Sequence, residues 1–235
     1  MNYTFISFLS LFVIANVHFL APYICRKGIL FHNKFLSIGS GIAIAYVFID
    51  LLPKLSRNEG KLRAFFDQFF PYLEHHVYIM ALLGFLLFFV VDRSENIVKK
   101  KSTYFCISLG SYSLFNFFVG YAIADQNNTE VQPLYLFTFA MALHYFMNDY
   151  SLTESHGKTY NHLAKWILVC SLFFGWLVGL KTEISASAIA LVNAFISGGV
   201  IMNVTRHELS LTTANSCHTF LISALLYALV LLNIG

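Results

Sequence analysis

Apolar runs of about twenty residues, separated by short clusters of charged residues, follow one another along the chain. A helix needs roughly 20 apolar residues to cross the hydrocarbon of a bilayer, so the pattern predicts membrane-spanning helices. The run Ala81 to Val91 lacks the alternation of apolar and polar residues that the strands of a membrane barrel require. We therefore expect an all-α integral membrane bundle of about eight transmembrane helices. The predicted spans lie near 4–24, 35–53, 76–92, 102–124, 133–152, 163–180, 184–206 and 216–234.

Composition supports a membrane protein over a soluble one. Hydrophobic residues make up 57% of the 235 residues and charged residues only 11%, and the mean hydropathy is +0.66. A soluble domain of this size could not hide so much apolar surface in one core. No low-complexity linker or second soluble domain interrupts the pattern, so residues 1–235 are predicted to form a single polytopic membrane domain.

The basic residues predict the orientation, because cytoplasmic loops carry an excess of Lys and Arg. With the amino terminus outside, ten of the fifteen basic residues fall on the inner loops. Both termini are then predicted to be outside, in a plasma membrane or a bacterial inner membrane. The ten inner residues are Arg26, Lys27, Lys34, Arg93, Lys99, Lys100, Lys101, Lys158, Lys165 and Arg206.

Several classes of function are disfavoured. The net charge of +3 is not gathered into a basic cluster interleaved with aromatics, so nucleic acid is not an expected partner. The four cysteines are scattered, which indicates neither a disulfide framework nor a thiolate metal site. No Gly-x-Ser-x-Gly, His-Glu-x-x-His or phosphate-cradling motif is present. We expect neither an enzyme nor a resident cofactor.

Polar residues inside the fourth and fifth spans are the candidate chemistry. His144 and Asn148 are four residues apart and share one helical face, with Asp149 beside it. By helical rise, His144 and Asn116 lie roughly 16 Å and 12 Å below the outer ends of their spans, near mid-membrane. Imidazole, amide and carboxylate groups can hold zinc, manganese or iron. We call Asn116, His144, Asn148 and Asp149 the predicted metal site.

Helix packing is the alternative explanation for such residues. A single buried His or Asn commonly bridges helices by hydrogen bonds, and for His18 and Asn203 that explanation is favoured. For the predicted metal site both explanations stay open, because four polar groups at one depth exceed what packing requires.

Four segments together resemble the Zrt- and Irt-like (ZIP) metal-transporter family. In that family the second span ends in His-Leu-Leu-Pro, the fourth carries His-Asn-Phe, the fifth carries His-Glu-x-Pro-His-Glu, and the seventh ends in Glu-x-x-Pro. The similar segments here are Asp50–Pro53, Phe115–Ala124, His144–Asp149 and Gly198–Ser210. The resemblance implies eight spans, outer termini, and a divalent cation bound at the predicted metal site.

The chain departs from the family at positions that matter for metal binding. The histidine of the fourth span is Phe115 here, and the acid that bridges two metals is Val119. The prolines that kink the two metal-binding helices are replaced by Phe118 and Met147. The resemblance therefore implies one reduced site, with one imidazole, one carboxylate and two amides.

The sequence leads to one main hypothesis, a membrane transporter or binder of a divalent cation such as zinc, iron or manganese. Asp50 would attract the cation at the outer mouth, and His207 and Glu208 would receive it near the inner exit. The alternative is a non-transporting scaffold or sensor that keeps the fold. An intramembrane enzyme is disfavoured because His144 and Asp149 point about 140° apart on a regular helix. The expected partners are the lipid bilayer and the cation, and a homodimer stays open.

Overall fold

The computed structural model describes residues 3–27, 32–54, 56, 76–98, 101–125, 131–182, 185–210 and 214–234. Within these ranges all regular secondary structure is helical, which confirms the all-α prediction. Two π-helical segments, Val47–Leu51 and Tyr160–Ala164, follow the second and fifth helices. The α-helices are α1 Tyr3–Lys27, α2 His32–Tyr46, α3 His76–Ile97, α4 Lys101–Ile123, α5 Val131–Thr159, α6 Lys165–Lys181, α7 Ala186–Ser210 and α8 Ala214–Ile234.

Six helices of the described chain are long and apolar enough to cross a membrane. They belong to α1, to α2 with its π-helical extension, and to α3, α4, α6 and α7. In α8 the apolar stretch Cys217–Asn233 is shorter, and α5 is not among the six. Leucines such as Leu225 and Leu232 lie about two-thirds exposed on α8, as expected for side chains that meet lipid. The chain is an integral membrane protein, and the count of eight spans stays a prediction.

Glycines allow pairs of helices to cross at backbone contact. A Cβ at Gly198 of α7 would lie 1.8 Å from the carbonyl oxygen of Ala81, and one at Gly84 of α3 would lie 2.1 Å from a carbonyl oxygen of α7. Helices α4 and α6 cross in the same way at Gly120 and Gly175. Because lipid offers no hydrophobic drive for association, small residues that permit close packing hold such pairs together.

Helix α1 meets α4, α5 and α6, and half of its apolar span is buried inside the bundle. Near its start the indole Nε1 of Trp176 donates a hydrogen bond to Ser7 Oγ at 3.1 Å. Further along, the rings of Phe19 and Trp166 lie 5.1 Å apart, so α1 and α6 run antiparallel. Ile14 is fully buried on this helix, and His18 follows one turn later on the same face.

Candidate functional site

A buried histidine from α1 joins the two helices that carry the predicted metal site. His18 is 0% exposed. Its Nδ1 lies 2.6 Å from Asp149 Oδ2 on α5, and its Nε2 lies 3.0 Å from Asn116 Oδ1 on α4. Asn116 and Asp149 are each 1% exposed. The imidazole therefore connects an amide of α4 with a carboxylate of α5.

The orientation of Asn116 determines which nitrogen of His18 carries hydrogen. The Asn116 Nδ2 donates to the backbone carbonyl of Tyr112 at 2.8 Å. Because that carbonyl can only accept, the amide oxygen must face His18, and His18 Nε2 must donate to it. The other ring nitrogen, Nδ1, is then the atom directed at Asp149.

The contact between His18 and Asp149 is short, but it is not an aligned hydrogen bond. Nδ1 and Oδ2 approach to 2.6 Å, yet neither atom has a partner in hydrogen-bond geometry within the described chain. The two atoms are within ion-pair distance, and the histidine contributes a positive charge only when both of its ring nitrogens are protonated. With Nε2 protonated, a neutral ring would point a lone pair at a carboxylate lone pair, which is repulsive. The two groups must therefore share a proton, carried by the ring or by the carboxyl group, or be ligands of one cation.

His144 and Asn148 bind each other. Asn148 Nδ2 lies 3.0 Å from His144 Nε2 along one turn of α5. Because the amide NH₂ donates, Nε2 accepts, and the hydrogen is left on Nδ1, which has no partner among the described residues. His144 is 0% exposed and its ring packs 5.5 Å from that of Phe115. The four residues of the predicted metal site thus form two separate sets of contacts.

Aromatic side chains enclose the Asp149 carboxylate. The ring of Tyr145 lies 5.2 Å from that of His18. Tyr160, in the π-helical segment after α5, is fully buried, and burial together with the neighbouring Asp149 carboxylate raises the pKa of Tyr160 well above its ordinary value. The phenol therefore stays protonated and polar beside the carboxylate. These rings separate the pair of His18 and Asp149 from bulk solvent.

The positions where the family has metal ligands are apolar core in this chain. Phe115 and Val119 are both 0% exposed. The ring of Phe115 packs against Phe88 at 5.5 Å and Tyr145 at 5.9 Å. Phe115 therefore fills the space beside His144 where another ligand would have to stand.

The structure describes the predicted entry residue but not the side chains of the predicted exit residues. Asp50 lies in the first π-helical segment, and its Oδ2 is 2.8 Å from Lys54 Nζ. The carboxylate predicted to attract a cation is thus already paired with a cation of its own helix. His207 and Glu208, the predicted inner residues, have side chains outside the part of the chain that the structure describes.

His18 contacts two residues of the predicted metal site, although it is not one of the four residues predicted from the sequence. A buried histidine in an apolar span was the available signal, and the bridging of helices expected for it agrees with its two contacts. Its partners lie 98 and 131 positions away in the sequence, so helical periodicity could not identify them. Among the described residues, no three or more His, Cys, Asp or Glu side chains are grouped so as to hold a metal ion.

No protein-family model matches the chain, and no curated protein is similar enough in sequence to count as a relative.

Proposed function

We propose that this chain is a ZIP-like membrane protein that binds a divalent metal cation between α1, α4 and α5 and carries it across the membrane. The observation that supports this most is the contact of His18 Nδ1 with Asp149 Oδ2 at 2.6 Å, buried and lacking hydrogen-bond alignment. Ionisable groups inside a helical bundle are expensive, and they commonly mark the path of an ion or substrate.

The chemistry of the two groups suits a divalent cation. An imidazole nitrogen and a carboxylate oxygen are both ligands that zinc, manganese and iron accept. A histidine that binds metal usually donates its other ring N–H to a carboxylate or carbonyl oxygen. His18 has this arrangement, because its Nε2 faces Asn116 Oδ1 at 3.0 Å. Asn116 is therefore proposed as a positioning residue for the imidazole.

The proposed pair of ligands, His18 and Asp149, differs from the set of four residues expected from the sequence. His18 and Asp149 supply the protein's donors, and water completes the coordination. His144 and Asn148 stay outside it, because their hydrogen bond of 3.0 Å occupies His144 Nε2 and one amide hydrogen of Asn148. One imidazole and one carboxylate bind weakly enough for the cation to be released, as a transport site requires.

Uptake of zinc, manganese or ferrous ion by reconstituted vesicles tests the proposal. We expect uptake by the wild type and at least a tenfold loss in His18→Ala and Asp149→Asn. His144→Ala should lose less than threefold, and His162→Ala, at an exposed position on the second π-helical segment, should behave as wild type. Wild-type vesicles that take up none of the three cations would rule out transport, and full activity of Asp149→Asn would rule out the site.

A non-transporting scaffold or sensor is the second candidate. It is favoured by the hydrogen bond between His144 and Asn148 and by the buried apolar side chains of Phe115 and Val119. Such contacts stabilise the packing of helices and require no ligand. A ligand that binds only the folded state must stabilise it, by about 2.7 kcal/mol at a hundredfold excess over Kd. Absence of both uptake and any metal-dependent rise in melting temperature would favour the scaffold.

A further inference from the structure

A line of polar contacts leads away from Asn116 along α4. Asn116 Nδ2 donates to the Tyr112 carbonyl at 2.8 Å, and the Tyr112 hydroxyl lies one turn closer to the predicted inner end, 3.5 Å from Asn203 Oδ1 on α7. Tyr112 and Asn203 are 4% and 5% exposed. Asn203 Nδ2 has no hydrogen-bond partner among the described residues. The line thus crosses from α4 to α7 through an incompletely bonded amide.

The line ends in an ion pair between α7 and α3. Arg206 follows Asn203 by one turn of α7, and its Nη1 lies 3.4 Å from Asp92 Oδ1. The two side chains are 28% and 31% exposed, unlike the buried groups above them. Electrostatic interactions also link the Arg206 guanidinium with Tyr112. Polar groups therefore continue from mid-membrane to the end of the bundle predicted to be inner.

We propose that Asp92 and Arg206, together with Tyr112 and Asn203, form a closed inner gate below the pair of His18 and Asp149. When the ion pair separates, the path along Tyr112 and Asn203 opens to the inner side. Asp92, freed from Arg206, then offers a carboxylate to the departing cation. This assignment rests on the proposed function.

The geometry favours a gate over a structural clamp. Helices α3 and α7 are already held together at Gly84 and Gly198, where their backbones touch. The ion pair is long and partly solvated, so it contributes little to holding the helices and can open easily. The hydroxyl contact of Tyr112 with Asn203 is also long, at 3.5 Å. Weak contacts at the end of a tightly crossed helix pair are suited to a part that opens and closes.

Thiol labelling from the inner side tests the gate without requiring transport. In protein whose four native cysteines are replaced by alanine, Asn116→Cys reports access to the site, and Val119→Cys repeats the measurement one turn further out. A membrane-impermeant cationic methanethiosulfonate is applied to the inner face. We expect Arg206→Ala to raise the labelling rate at least fivefold, and Tyr112→Phe to raise it at least twofold.

Matched variants separate loss of the pair from loss of charge. Arg93→Ala removes the neighbouring arginine of α3, whose guanidinium lies over the Phe89 ring at 5.5 Å, and it should leave labelling unchanged. The exchange Asp92→Arg with Arg206→Asp rebuilds the pair and should restore slow labelling. If Arg206→Ala does not fold, Tyr112→Phe, which keeps the ring, decides the question alone.

Labelling that stays slow in both Arg206→Ala and Tyr112→Phe would overturn the gate. Faster labelling in those variants with no wild-type uptake of zinc, manganese or ferrous ion would overturn the proposed function and leave the gate standing.

Discussion

Replacement of His18 by leucine would leave the Asp149 carboxylate buried without its counter-charge. Asp149 is 1% exposed, and its Oδ2 is 2.6 Å from the imidazole that would be lost. Asn116 Oδ1 would also lose its donor. We therefore expect His18→Leu and Asp149→Leu each to lower the free energy of unfolding by about 3–5 kcal/mol, as is usual when one partner of a buried ion pair is removed.

The double variant distinguishes an ion pair from a neutral hydrogen bond. Replacing both members of a buried ion pair by apolar residues is often close to neutral, so the coupling free energy between His18 and Asp149 should reach about 3 kcal/mol or more. Neutral hydrogen bonds between transmembrane helices couple by only about 0.6 kcal/mol, with a maximum near 1.7 kcal/mol. The two explanations therefore predict different magnitudes.

Equilibrium unfolding in mixed detergent micelles measures both single variants and the double variant. Fluorescence of Trp166 and Trp176 reports on α6, which packs against α1. The control cycle uses His144→Leu and Asn148→Leu, a pair with a neutral contact of 3.0 Å within one turn of the same helix, for which we expect a coupling of about 0.2–0.5 kcal/mol. A His18 to Asp149 coupling as small as that of the control would refute the charged pair.

Four further variants test the packing and the outer end. Gly198→Ala places a Cβ 1.8 Å from a carbonyl oxygen and should lower the free energy of unfolding by about 1–3 kcal/mol. Gly110→Ala adds a Cβ that meets nothing within 4 Å, so it should raise the free energy of unfolding by about 0.5–1 kcal/mol. Thermal melts compare the two variants. Lys54→Met breaks a partly exposed pair and should lower stability by less than about 0.5 kcal/mol, while freeing Asp50 to raise initial cation uptake. Trp176→Phe removes a hydrogen bond of 3.1 Å to a serine of α1 and should cost about 1 kcal/mol, read from the same melts.

The membrane character and the helical class could be predicted because both depend on local pattern. Length and apolarity of a run decide whether it can span a bilayer, and six of the predicted spans meet that requirement in the described helices. Helix α5 does not, because His144, Asn148 and Asp149 lower the apolarity of the run that contains them. The same polar residues that indicate a site thus weaken the signal that identifies its helix as a span.

Contacts within one turn could be predicted, and contacts across the bundle could not. The shared face of His144 and Asn148 follows from their spacing, and they do contact each other at 3.0 Å. His18 meets Asn116 across 98 positions of sequence, and nothing in helical periodicity chooses that partner. The close crossings at Gly84 and Gly198 likewise depend on which helices become neighbours.

Phe115 and Val119, two of the positions at which the chain differs from the ZIP-like pattern, have a common physical consequence. Phe115 and Val119 turn the α4 face beside His144 into fully buried apolar surface, where a second cation would lack ligands and pay a large desolvation penalty. Asn116 keeps a polar group on that helix, and its Oδ1 contacts His18 Nε2 of α1 at 3.0 Å. A cation site in this bundle is therefore expected on the side of α5 that faces α1, where Asp149 lies. Phe115→His alone should not create a second site, because Val119 supplies no carboxylate that could join two cations.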